Sequence, residues 1–207
     1  MTPPDPDILV VGHYCHDTLV GADGSLHRAP GGSPAYISAV LEALGASFEV
    51  VSKVGEDFHY FDRFSKPPRV SERARTTHCR DDFSAGRRAQ TIDTVCEPIW
   101  PEEIALSADV ALACAIAGEI PPETFRELRR RSRILFANAQ GLLRRRDPRG
   151  AVSHERLENT PFAFMLDALD FLKANEVEAG VIDIESARRK LADKRGGEFD
   201  DAAFVRN

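Results

Sequence analysis

The sequence predicts an α/β protein built on a doubly wound, mainly parallel sheet. Three observations predict it. Short, wholly apolar runs recur at Ile8-Leu9-Val10-Val11, at residues 110–116 and at Ile134-Leu135-Phe136-Ala137. Runs without polar alternation read as strands buried on both faces, the condition of a sheet covered by helices. Strand then alternates with helix at a spacing that suits parallel pairing. Finally, Asp17, Gly31-Gly32, Asp57, Glu119, Gln140 and Asn175 all stand just after predicted strands or in the loops that follow. Ligands of open α/β sheets bind at the carboxyl ends of the strands, because those loops gather there.

In order, Ile8 to Val11 is the first strand, closed by Gly12. His13-Tyr14-Cys15-His16-Asp17 leaves its end, and Thr18-Leu19-Val20 leads to a turn at Gly21-Ala22-Asp23-Gly24. Pro30-Gly31-Gly32-Ser33-Pro34 comes next. Paired glycines let backbone approach a ligand, Ser33 is a good helix N-cap, and Pro34 then takes the first helical position. Ile37, Val40, Leu41 and Leu44 recur at helical spacing and predict one apolar face. This turn at a helix start is either a site for hydroxyls or anions or a plain loop-to-helix junction.

Residues 48–54 read as one strand, closed by Gly55-Glu56-Asp57-Phe58. Residues 59–80 are polar and broken by Lys66-Pro67-Pro68. Residues 76–79 and 90–96 suggest a small antiparallel flap. Residues 101–104 look like a helix start, and Pro121-Pro122 opens a helix through Phe125 and Leu128. Residues 161–167 read as helix, Phe171-Leu172-Lys173-Ala174 as a fourth strand, and residues 186–194 as helix.

The chain has 207 residues and a net charge of −6, which argues against general affinity for nucleic acid or an anionic membrane. No apolar run approaches a membrane-spanning length. The start is proline-rich and acidic, unlike a secretory or transit peptide. Four scattered cysteines without a CxxC read as free thiols of a reducing compartment, so a cytoplasmic protein is expected. Neither GxxxxGK[ST] nor GxGxxG is present.

His13, Cys15, His16 and Asp17 are rich in metal donors but lack a second cluster to complete a tetrahedral set. The alternative is that only Asp17 reaches the pocket, where a carboxylate accepts hydrogen bonds from a polyol. Residues 126–149 hold nine arginines against two acids. They are either a patch for phosphorylated ligands or RNA, or the solvated face of a helix followed by a surface turn. Asn175 and Glu178 place an amide and a carboxylate at the head of a turn, oxygen ligands of the kind that suit magnesium.

Taken in order, these pieces resemble the ribokinase or PfkB-type carbohydrate kinases, and within them the plant-type myo-inositol kinases. The matching stretches are residues 9–17, 30–35, 52–58, 96–99, 117–121 and 171–179, so the likeness runs from about residue 7 to about 192. The resemblance implies a ribokinase-like three-layer fold with a small β lid from about residues 13–30 and 76–96. It implies ATP and Mg2+ as cofactors and phosphorylation of a hydroxyl of myo-inositol or a similar polyol or sugar. Asp17, Gly31, Gly32, Asp57 and Gln140 would bind substrate. Asn175 would lie at the ATP phosphates, and Asn175 and Glu178 near magnesium. Tyr36 stands where many members have asparagine, and Asn138 where an acid is usual.

The family's GAGD-like turn, whose aspartate is the general base, has no counterpart in these 207 residues. Gly196-Gly197-Glu198 comes too early. Relative to the family the chain is therefore expected to be C-terminally truncated, with residues 1–192 the N-terminal portion of a kinase domain and 193–207 a disordered or non-homologous tail. On that expectation the chain alone lacks normal kinase activity. The alternative is a non-catalytic polyol binder, or a fragment that self-associates or pairs with an intact kinase through an exposed sheet edge.

Overall fold

The structure is a computed structural model that describes residues 5–183. In chain order the elements are β1 (Ile8–Val11), β2 (Cys15–Val20), β3 (Leu26–Gly31), α1 (Ser33–Ala43), β4 (Phe48–Val51), β5 (Lys53–Gly55) and β6 (Arg69–Ser71). They continue with β7 (Thr77–Asp82), β8 (Ala89–Thr94), β9 (Ala108–Ala113), α2 (Pro122–Arg131), β10 (Ser132–Asn138) and α3 (Gln140–Leu143). β11 (Arg144–Arg146), β12 (Val152–His154), β13 (Phe171–Lys173) and α4 (Glu176–Ala179) complete them. The helix expected over 186–194, Gly196-Gly197 and the tail 193–207 lie outside the described residues.

The principal sheet is wholly parallel, in the order β13-β10-β9-β1-β4. Its pattern explains the apolar runs. Leu9 and Val11 point into a core with Ala111, Ala113, Leu135 and Ala137, covered by Phe125 and Leu128 of α2 and by Phe162 and Met165. Val10 points to the opposite face and packs with Leu41 of α1 and Phe48. A strand covered on both sides has no position for a polar residue.

A second, mixed sheet has the order β3-β2-β7-β8. β2 and β7 run parallel, while the outer pairs β2–β3 and β7–β8 are antiparallel. The small pairs β5–β6 and β11–β12 flank the two sheets. Among the described residues no helix is long and apolar enough to cross a membrane. All four cysteines are free and buried.

Six local expectations are corrected. The run 48–54 is two strands, because at Ser52 the side chain accepts the Tyr14 N–H (2.7 Å) and the carbonyl accepts the Arg69 N–H (2.9 Å), turning the chain toward β6. The turn after Trp100 is a single 3-10 turn, Pro101–Glu103, held by the Glu103 carboxylate on the Trp100 N–H (2.9 Å). Residues 161–167 hold a 3-10 turn, Ala163–Asp167, rather than an α-helix. In α1 the N-cap is Gly32, not Ser33. Its buried residues are Pro34, Ala35, Ser38 and Leu41, whereas Val40 and Leu44 are exposed. Ser38 is a polar residue on the buried face because its hydroxyl donates to the Pro34 carbonyl (2.7 Å), which satisfies it locally. The second arginine run is a strand, β11, not a surface turn.

Candidate functional site

The site is built where β1, β9 and β10 end. At Gly12 a Cβ would lie 2.6 Å from the Cys114 carbonyl oxygen, so only glycine lets the chain leave β1 that close to β9. His13 follows, fully buried. Its Nδ1 pairs with the Thr77 hydroxyl (2.9 Å) and its Nε2 with the Glu97 carbonyl (3.0 Å). Burial pushes its pKa below the ordinary imidazole value, against the pull of Glu119, so it is neutral near pH 7. It fastens β7 of the second sheet over the end of the first.

Glu119 sits beneath this junction, 1% exposed. Its carboxylate accepts the N–H of Ile116 (2.7 and 2.9 Å) and of Ala117 (2.8 Å), and a longer bond from His13 N (3.4 Å). Those N–H groups belong to the turn that leaves β9 and to the chain that leaves β1. One carboxylate thus replaces the backbone partners that both strands lose when they end.

β2 then carries Asp17 across the junction. In register, Asp17 lies opposite Ala29 of β3 and Cys79 of β7. Its Oδ1 accepts the Cys15 thiol (3.2 Å). Its Oδ2 occupies space where a Cβ on Gly31 would fall 2.0 Å away. Burial raises the Asp17 pKa and the Asp81 charge adds to this, while the Cys15 thiol, His78 and Arg88 act the other way. Gly32 follows at φ +90°, and a Cβ there would meet the His13 carbonyl at 2.3 Å. The Ser33 hydroxyl accepts from the amides of Asn138 and Gln140, both at 3.3 Å, and the Gln140 amide also reaches the Ala115 carbonyl (3.2 Å). Ser33 thus ties Gln140 and Asn138 to the Gly31–Gly32 turn at the start of α1, and Asp17 lies against Gly31 of the same turn.

Asp57 is used differently. Its Oδ1 accepts both the Thr76 N–H (2.7 Å) and the Thr76 hydroxyl (2.8 Å), which anchors the chain entering β7. Partial burial acts to raise its pKa, but the two Thr76 bonds prevail and hold it below the usual carboxylate value. A depressed carboxyl stabilises the fold above its unfolded pKa of about 3.9, and that stability is lost as pH falls through the folded value. Asp57→Asn is expected to cost about 1 kcal/mol at pH 7, allowing for the group's exposure, with the difference vanishing in acid. Urea melts of both proteins at pH 7 and at pH 3 check this.

The donor-rich run 13–17 does not assemble as a unit. His13 points to Thr77 and Glu97, and His16 stacks on Phe58. Among the described residues the one group with ligand atoms close enough for a metal is Cys15, Asp17 and Cys79. Its Cys15 thiol is pushed up, first by hydrogen bonding to Cys79 and then by burial, so it stays protonated. Sequence reasoning missed Cys79 and the pinning role of His13. The period of two along β2 and β7 places Cys15 and Asp17 on one face with Cys79. Which strand lies beside β2, however, is a tertiary fact that no local pattern carries.

Comparison with known proteins gives a consistent result. The chain is 37% identical over 205 residues to an inositol 3-kinase of Oryza sativa subsp. japonica, covering 88% of this chain and 50% of that protein. An inositol 3-kinase of Arabidopsis thaliana is 33% identical, with 89% and 54% covered. The chain spans about half the length of the curated relatives it matches. No protein-family model matches it. Its fold matches that of a pyrophosphate-dependent kinase of the ribokinase family solved with a pyrophosphate analogue and myo-inositol. There the TM-score is 0.75 at 22% identity, covering 90% of this chain and 69% of the other. An Arabidopsis thaliana ribokinase complexed with ribose and ATP gives 0.61 at 17%, covering 93% and 69%. The chain is thus similar to inositol 3-kinases over about half their length, and its fold is that of the ribokinase family.

In this ribokinase-like fold, Asn175 and Glu178 are spent on each other. The Asn175 side chain accepts the Glu178 N–H (2.9 Å), and Glu178 accepts the Asn175 N–H and side-chain amide, both at 2.9 Å. This is a closed capping box around a carboxyl that is 2% exposed. It does not fit as an open set of oxygen ligands for magnesium. Nor does the thiol-rich Cys15, Asp17, Cys79 group, since magnesium takes hard oxygen donors.

Proposed function

We propose that this chain carries the acceptor half of an ATP-dependent phosphotransferase, and that its acceptor is a hydroxyl of myo-inositol or a closely similar polyol. The observation that supports it most is the Asp17 carboxylate. It is partly desolvated, its only hydrogen-bond donor among the described residues is a thiol, and it lies over a glycine that leaves room beside it. A carboxylate so placed accepts two vicinal hydroxyls well and recognises an apolar ligand poorly. The Gly32–Ser33 turn at the start of α1 and the amides of Gln140 and Asn138 offer further polar contacts. The second sheet, fastened by His13, acts as the lid. The four free thiols suit a cytoplasmic setting.

Phosphoryl transfer needs a base at the acceptor hydroxyl and donors around the transferring phosphate. The 207 residues contain no GAGD-like turn to supply them. The chain incubated with ATP, magnesium and myo-inositol is therefore expected to show no turnover. Turnover abolished by Asp17→Ala would overturn the assignment of an acceptor half alone. Polyol binding should also depend on pH. Asp17 must be ionised to accept, and burial raises its pKa, so affinity falls on acidification with a midpoint above that of an ordinary aspartate. Titrations between pH 4 and 8 check the midpoint. Asp17→Asn is expected to show no binding at millimolar inositol at any pH.

A further inference from the structure

The arginine run of β11 has three members with three fates. The Arg145 side chain pairs with Glu155. Arg146 donates to the carbonyls of Ile92 (3.2 Å) and Asp93 (2.9 Å), and so docks the β11–β12 pair on the second sheet. Arg144 does neither. Its Nη1 makes one long bond to the Ile116 carbonyl (3.3 Å), at the end of β9. Its Nε is buried and has no partner, and among the described residues it forms no ion pair.

His154 is the register partner of Arg144 across β11–β12. Its Nε2 is also buried and without a partner. Two of the three orphaned buried side-chain nitrogens among the described residues thus belong to one cross-strand pair. They sit between the two sheets, where the Asp81 and Glu178 carboxylates are close enough to be felt by Arg144, and Glu178 by His154. Neither Asp81 nor Glu178 reaches the guanidinium. Asp81 is paired with Arg88, and Glu178 is closed in its capping box.

A desolvated guanidinium without a counter-charge is expensive, and an unmade buried hydrogen bond adds to the cost. Such groups persist where a ligand completes them. The ligand must be anionic, to match Arg144, and must carry several acceptor oxygens, to take Nε and the Nε2–H tautomer of His154 together. We infer that Arg144 and His154 form an anion site that holds a phosphate group between the two sheets. The site itself rests on the orphaned nitrogens. Its assignment to the phosphoryl group passed to the polyol rests on the kinase reading above.

The test is a thermal-shift and calorimetric titration of the intact chain with inorganic phosphate, an inositol monophosphate and ATP. At least one is expected to bind saturably and raise the melting temperature. Inositol monophosphate tightest assigns the site to the product's phosphate, and ATP tightest to the donor's. Arg144→Met is expected to weaken binding at least tenfold while leaving the phosphate-free melting temperature unchanged or higher, because it removes an uncompensated charge. Should Arg144→Met fold poorly, His154→Phe gives the same readout. Exposed Arg149→Gln should behave as wild type. No binding of any of the three, or equal binding by wild type and both site variants, overturns the proposal. Loss of myo-inositol binding with phosphate binding intact would instead count against the acceptor reading and leave the anion site standing.

Discussion

Gly31→Ala is expected to remove polyol binding as completely as loss of Asp17 itself. The new Cβ falls 2.0 Å from Asp17 Oδ2 and 2.2 Å from its Cγ, and the atom that must give way is the tip of the proposed ligand-binding side chain. The backbone needs no adjustment, because Gly31 is not at positive φ. Asp17 rotates away instead and drops its bond to the Cys15 thiol. A charge-assisted hydrogen bond contributes ~1.5–3 kcal/mol, so affinity should fall roughly ten- to hundredfold per bond lost. Asp17→Ala combined with Gly31→Ala separates clash from ligation. The double variant should recover the melting temperature of Asp17→Ala alone, while binding stays absent. Calorimetry with myo-inositol and a thermal melt on the four proteins check both parts.

Glu119→Ala should produce the largest loss of stability. The Ile116 and Ala117 N–H groups give it short bonds, the His13 N–H a longer one, and all three are left in a dry junction without it. Each orphaned donor costs ~1–3 kcal/mol, which makes about 4 kcal/mol in all. For a domain of this size that corresponds to a fall in melting temperature of about 10 °C. Glu119→Gln should lie between, because its amide retains one acceptor oxygen. Exposed Glu102→Ala should melt like wild type. A change of less than about 1 kcal/mol in Glu119→Ala would mean that the two strand ends find other partners.

The fold was legible where local chemistry and burial agree. The apolar runs at β1, β9 and β10 announce a parallel sheet because each is covered on both faces. Pro121-Pro122 announces α2 because proline suits a helix start. The face of α1 was misread because Val40 and Leu44 follow helical spacing yet face solvent, while Ser38 is buried with its hydroxyl satisfied at Pro34. Of the site, Asp17 and the glycine pair stand out by position after strands. Arg144 does not, because its meaning depends on which of three consecutive arginines is left with a buried, unpartnered nitrogen. The Asn175–Glu178 spacing was visible, but one NxxE pattern serves equally as oxygen ligands or as a capping box. Only the hydrogen bonds decide between them.

The central claim is that Asp17 and the glycine turn beside it grip polyol hydroxyls. Calorimetric titration of the chain with myo-inositol, in the absence of any nucleotide, tests it most directly. The account predicts saturable heat for the wild type at millimolar inositol or below, and none for Asp17→Asn in a protein that melts normally. No heat from the wild type at millimolar inositol, or equal heat from Asp17→Asn, would contradict it.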